Sequence, residues 1–475
     1  MGFNSFGYIL LFLPIVTLLC LFARQLPWNK APQACVLLSS LVFYAWGKPW
    51  QLPYLVGSIL ANWLIARWMT PRTGVARTRI LQLGLLLNVG YLCCFKYIDF
   101  FLSNLPYLVR RGIHAPELAF PLGISFFTLA QIMYLADCYE SLAPPSGLFD
   151  HATFVSFFPY VISGPISRSK RILHQFPALN SRSRPTADIM ARALYLFSLG
   201  LFKKVVLADA FSKLADTGFS NIESLSTIWA WVVATAYMLQ LYFDFSGYSD
   251  MAIASGLFLG IEIPINFRAP LRSQSIIKFW QRWHITLSEF IASYLYTPIL
   301  RSFESATLAT SAIATVVSMS IAGLWHGPSW TYVAFGLIHG VGLACNQIWR
   351  KTKMPKLPGW FAWLLTILLL DLSFVFFRAP DIHTAVRYLP HLFSIRHFFG
   401  TQILLNKVLF GALEPIYILL QVGGIFAALY GKSTEQLSHE FKPTRLNFLG
   451  TAACLLTAFL FLNSNVAKPF IYFGF

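Results

Sequence analysis

An all-α polytopic membrane protein is the fold class this chain predicts, on composition and on the recurrence of apolar runs. Of 475 residues, 56% are hydrophobic and only 12% are charged, with a mean hydropathy of +0.60. That leaves too little polar surface to cover a soluble globule. Crossing a hydrocarbon core takes roughly 20 apolar residues in a helix. Runs approaching that length recur at 6–21, 35–46, 52–68, 80–101, 120–139, 191–210, 228–243, 251–263, 306–325, 330–349, 361–377, 416–430 and 446–462. Several are short or interrupted by Gly, Pro or charge, so about eleven spanning helices plus re-entrant segments are expected.

The elements follow in chain order. The run at 6–21 lacks a basic stretch before it and is followed by PWNKAP rather than a small-residue cleavage site, so it reads as a mature helix. Arg67, Arg72, Arg77 and Arg79 follow the third run, and Arg168, Lys170, Arg171, Arg182 and Arg184 follow the fifth. Basic loops face the cytoplasm, which places the N-terminus on the periplasmic side; RKTKMPK at 350–356 is the next cytoplasmic loop. The 36 Lys and Arg against 19 Asp and Glu give a net charge of +17. In so apolar a chain this charge speaks for bilayer orientation, not for nucleic acid. The seven cysteines have no metal or disulfide spacing and read as buried free thiols. The whole chain, 1–475, reads as one membrane domain, with N-terminal helices at 1–118 and a motif-bearing core at 119–475.

Polar groups inside membrane segments cost several kcal/mol unless paired or hydrated, so they mark where chemistry could sit. In 154–176, FVSFFPYVISGPISRSKRILHQF, Pro159, Gly164 and Pro165 break the helix repeatedly, which fits a re-entrant or surface-lying segment. In YFDFSGYSDMAIASGLFLGI, Asp244 and Asp250 either cap helix N-termini or satisfy backbone groups at a helix break, or they line a polar cavity. In FWQRWHITLSEF, Trp280, Trp283, His284 and Leu287 fall at i, i+3, i+4 and i+7, as on one face of an amphipathic helix at the interface. His284 is the anomaly there, and taken alone it reads as a hydrogen-bonded core histidine. GLWHGPSW at 323–330 ends one helix at Gly327 and Pro328 and lets Ser329 cap the next, with His326 either bonding the last carbonyls or serving as a proton acceptor. His339 reads as structural, and the other histidines take no role.

The set FFPYVISGPISR, YFDFSGYSDMA, NFRAP, FWQRWHITLS, YLYTP, GLWHGPSW, the HG at 339–340, FFRAPDIHTAVRYL and the terminal PFIYFGF resembles the membrane-bound O-acyltransferase (MBOAT) family. Within that family it is most similar to the bacterial alginate O-acetylation type. The resemblance runs from about residue 120 to the C-terminus, and the order and spacing of many motifs carry it.

It implies a ring of transmembrane helices whose thinned centre holds re-entrant helices around a funnel. His326 of the WHG motif corresponds to the family's catalytic histidine, and His284 of RWHxxLS to an assisting or positioning one. Trp325, Trp283, Asp244, Asp250 and Ser288 are taken as binding substrate or lining the cavity. The implied donor is a cytoplasmic thioester, acetyl-CoA or an acyl carrier, with no bound cofactor and no metal. The implied acceptor is an exported exopolysaccharide, alginate or an acetylated cellulose among them. It is reached across the bacterial inner membrane directly or through periplasmic acetylation proteins.

Two alternatives stand beside this: a D-alanyl transferase for teichoic acids on the same fold, and a transporter or flippase for lipid-linked saccharides. The chain departs from the alginate type in IASYLYTPILRSFES, which lacks that type's charged RDY and its GGNR-like turn. It also departs at FPYV, where FPQL is usual, and at Gly474, where Gln or Arg is usual. None of these changes touches a histidine.

Overall fold

The computed structural model describes residues 1–105, 120–352, 354–394, 415–463, 468 and 470–474. All regular structure among them is helical. The expected boundary at 118/119 lies at the edge of the stretch 106–119, outside the described residues. Four described helices are long and apolar enough to cross a membrane by length and composition: Gly74–Ser103, Leu308–His326, Gly359–Arg378 and Arg445–Asn463. Gly7–Ala23, Ala31–Ala45 and Pro415–Tyr430 are apolar but shorter. A count of about eleven is not established by this criterion.

The faces these helices turn outward are apolar. Leu446, Phe448, Leu449, Leu456 and Leu460 are all exposed on Arg445–Asn463. Water would not tolerate such a face, whereas lipid tails are its natural solvent. The cysteines are free thiols, but only Cys20 and Cys138 are buried, and Cys94 and Cys345 are exposed. The expectation of uniform burial fails because apolar surface need not be buried in a chain whose exterior is lipid.

The chain divides into two compact units, Met1–Phe197 with Met251–Pro264, and Ser198–Asp250 with Ile265–Phe475. In the first, the helix Ile124–Tyr139 begins at Gly123, whose φ of 73° belongs to the left-handed region. A side chain there would also lie 2.4 Å from the Val161 carbonyl oxygen, so glycine is required twice over. Residues 157–168 are irregular and almost wholly buried. The Phe158 N–H donates to Ser40 Oγ at 3.1 Å, and the Tyr160 hydroxyl donates to the Phe154 carbonyl at 2.7 Å. Non-helical backbone is accommodated here because protein covers it.

In the second unit, Leu308–His326 and Trp330–Lys351 form a tight antiparallel hairpin. Thr307 opens it with a capping box to Thr310. Ser329 accepts from the Thr331 N–H to start the second helix, the role its position predicted. Glycines let the two backbones touch: a Cβ at Gly336 would lie 2.3 Å from the Met319 carbonyl oxygen, and one at Gly323 would lie 2.3 Å from that of Tyr332.

Two expected segments, 228–243 and 251–263, are one helix for most of their length, Thr227–Phe258, of 32 residues. At 1.5 Å per residue it is about 48 Å long, well beyond the roughly 30 Å of a hydrocarbon core. Asp244 and Asp250 lie inside it, which overturns the reading of them as caps at a helix break.

Candidate active site

FWQRWHITLSEF is not one helix. Ile276–Trp280 ends at Gln281, the chain turns, and Ile285–Phe290 begins from His284, whose φ of 43° and ψ of 53° are left-handed. Such a conformation costs a non-glycine residue about 1–2 kcal/mol, a strain that tends to persist at functional sites. The preceding NFRAP stretch holds it in place. The Asn266 carbonyl accepts from the Ile285 N–H at 3.0 Å, and the Arg268 N–H donates to the Arg282 carbonyl at 2.9 Å. The interfacial amphipathic helix is therefore a correction: Trp280, Trp283, His284 and Leu287 are all buried, but around a turn. Helical periodicity carried no trace of it, because the bonds that make the turn come from 266–268.

His284 is 1% exposed, and its Nδ1 lies 3.0 Å from Asn266 Oδ1. Its ring stands edge-on to Phe245 at 4.6 Å between centroids. His326, the last residue of Leu308–His326, is 4% exposed. Trp325 at 5.1 Å, Phe377 at 5.2 Å, Tyr472 at 5.8 Å and Phe335 at 6.0 Å surround it. Tyr472 also packs on Phe245 at 4.5 Å. A run of touching rings, His284–Phe245–Tyr472–His326, thus joins two histidines that lie 42 positions apart in sequence.

Gly327 completes this wall. A Cβ there would lie 2.3 Å from the ring of Tyr332, which itself packs edge-on to Phe377 at 5.1 Å. Trp283 is 3% exposed, stacked on Phe279 at 5.4 Å and edge-on to Phe267 at 5.1 Å. Trp325 lies directly against His326. The Ser288 hydroxyl donates to the Trp280 carbonyl at 2.8 Å and approaches that of Trp283 at 3.3 Å. It ties down the turn.

Asp244 and Asp250 are both ion-paired. Lys204 Nζ lies 2.6 Å from Asp244 Oδ1 and 3.3 Å from Asp209 Oδ1, with all three side chains at most 4% exposed. Lys203 Nζ lies 2.8 Å from Asp250 Oδ2, which also accepts from the Thr434 hydroxyl at 3.0 Å. The paired carboxylates also hold the C-terminal segment. Asp244 Oδ2 accepts from the Ile471 N–H at 2.9 Å, and Asp209 Oδ2 from the Lys468 N–H at 3.3 Å. Asp216 pairs with both Lys468 and Arg378. Tyr472 is set beside His326 by this anchoring. Sequence reasoning assigned no role to Lys204, Asp209, Asn266 or Tyr472. The one available signal was a Lys-Lys pair inside an apolar run, which needs buried acids to balance it.

His339 is satisfied at both nitrogens. Trp280 Nε1–H donates to Nδ1 at 3.1 Å, so the neutral ring carries its proton on Nε2 and donates to Ser373 Oγ at 2.9 Å. The Ser373 hydroxyl in turn donates to the Leu370 carbonyl at 2.8 Å. This supports the structural reading. No group of three or more His, Cys, Asp or Glu arranged to hold a metal occurs among the described residues.

Comparison with known proteins bears on what this site does. The model of the membrane-bound O-acyltransferase family, MBOAT, matches residues 73–369. The chain is 35% identical to the peptidoglycan O-acetyltransferase of Helicobacter pylori, over 100% of this chain and 97% of that protein. It is 37% identical to the Pseudomonas aeruginosa protein named "Probable alginate O-acetylase AlgI", over 84% of this chain and 76% of that one. A third relative, the teichoic acid D-alanyltransferase of Streptococcus thermophilus, is 31% identical over 49% of this chain and 58% of its own. A match over more than half the chain, with relatives aligned along 84% to 100% of it, places this polytopic membrane protein in the membrane-bound O-acyltransferase family, as an O-acyltransferase.

Proposed function

We propose that the protein moves an acetyl group from a cytoplasmic thioester, acetyl-CoA first among them, for O-acetylation of a glycan outside the cytoplasm. It does so from the bacterial inner membrane with its N-terminus in the periplasm, directly or by handing the acyl group to a periplasmic transferase. The observation that carries this reading is the meeting of His284 and His326 around Phe245 and Tyr472, buried from solvent.

His326 is the catalytic histidine. Its neutral imidazole takes the proton of the acceptor hydroxyl as the oxygen attacks the thioester carbonyl. The C–S bond breaks, and the thiolate leaves and is protonated to the free thiol. Both O-acetylating relatives named above, which cover 100% and 84% of this chain, carry acetyl transfer to a glycan in their names, which favours acetyl over D-alanyl. The D-alanyltransferase relatives are less similar, at 31% identity over 49% of this chain and 25% identity over 64%. The peptidoglycan enzyme widens the acceptor class from exopolysaccharide to envelope glycans in general.

The test has two parts. Purified protein given acetyl-CoA and a glycan acceptor releases free thiol in proportion to ester formed, and mild alkali frees acetate from the glycan of expressing cells. Release of D-alanine instead, or no thiol from acetyl-CoA, contradicts the reading.

A further inference from the structure

Asn266 sits at the centre of the bonding around His284. Its Oδ1 faces three groups: the Thr286 N–H at 3.3 Å, the Thr286 hydroxyl at 3.0 Å and His284 Nδ1 at 3.0 Å. A backbone N–H can only donate, so this atom is the amide oxygen and not the amide nitrogen. The amide nitrogen then donates to Ser249 Oγ at 3.3 Å. An acceptor at Asn266 Oδ1 requires that His284 Nδ1 carry a proton. In the neutral ring Nε2 is therefore a bare acceptor, and it is buried with no hydrogen-bond partner among the described residues.

We infer that Asn266 is a positioning residue that locks His284 in the Nδ1–H tautomer, so that Nε2 accepts a hydrogen bond from an O–H or N–H of a bound substrate. The inference rests on the acyl-transfer reading above and assigns the role that reading leaves open for His284. An oxyanion stabiliser must present a hydrogen to the developing charge. Neutral His284 in this tautomer has none at Nε2, so it holds a reactant by one of the reactant's own hydrogens. Backbone and ring are set together: the Asn266 carbonyl bonds the Ile285 N–H while the side chain bonds the ring, and the left-handed turn at His284 follows from both. The buried orphan nitrogen is what such an arrangement leaves for a ligand.

The experiment measures the rate of ester formation on glycan in cells, per molecule of folded protein in the membrane, for wild type, His326→Ala, Asn266→Leu and Asn266→Asp. Thermal melting of the solubilised proteins reports folding. For histidines that ligate a metal, loss of the orienting partner typically costs about 10- to 100-fold, and a loss of at least about 10-fold is expected for Asn266→Leu by the same orienting logic. Asn266→Asp keeps an acceptor oxygen against Nδ1 and is expected to lose less than about 10-fold, short of that range. A leucine variant at the wild-type rate, or an aspartate variant as weak as the leucine one, overturns the inference. If the leucine variant does not accumulate, the aspartate variant decides alone, about 10-fold loss or more being the contrary result. His326→Ala separates the two levels. Its full activity defeats the acyl-transfer reading itself, whereas its inactivity beside an unimpaired Asn266→Leu defeats only the role given to Asn266.

Discussion

Lys204 lies between two carboxylates at 2.6 and 3.3 Å and is 1% exposed. Removing one member of a buried ion cluster leaves the others charged and unpaired, at a cost of about 3–5 kcal/mol. Lys204→Met should therefore lower the melting temperature of the solubilised protein sharply. It should also loosen the C-terminal segment, which Asp209 and Asp244 bond through the Lys468 and Ile471 N–H groups. A melting temperature equal to wild type would contradict this account of the cluster. The contrast with His339 is instructive. Trp280 and Ser373 use both of its nitrogens, while His284 keeps one buried nitrogen without a partner among the described residues. Two histidines in similar sequence surroundings are thus told apart by what surrounds them in space, which no spacing rule supplies.

At the scale of elements, the sequence reading worked where a helix is an uninterrupted apolar run and failed where its shape depends on distant groups. The hairpin around GLWHGPSW was legible, including the Ser329 cap, because helix ends carry local signals. The turn within FWQRWHITLSEF was not, since Asn266 and Arg268 impose it from outside. The unbroken helix Thr227–Phe258 was hidden for a related reason. Asp244 and Asp250 look like helix breakers until Lys203 and Lys204 are seen to neutralise them. The hairpin itself makes a prediction. Gly336→Ala would force a methyl to 2.3 Å from the Met319 carbonyl oxygen, and overpacking of this kind costs about 1–3 kcal/mol. A lowered melting temperature checks it, and an unchanged one would mean that the two helices part without penalty.

For the whole molecule, composition and apolar recurrence sufficed for the membrane class, and motif order sufficed for the family, which the full-length relatives bear out. Orientation is the remaining statement at this scale. In the proposed orientation the basic loops at 67–79 and 168–184 face the cytoplasm. A reporter active only in the periplasm should work when fused at the N-terminus and fail when inserted near Arg182. The reverse pattern would invert the orientation and with it the side from which the donor enters.

The most direct measurement of the central claim is ester formation on extracytoplasmic glycan in cells whose only copy of the protein carries His326→Ala, at membrane levels matched to wild type. The account predicts that glycan-bound acetate falls to background while the protein remains folded. Acetylation at the wild-type level by that variant would contradict it.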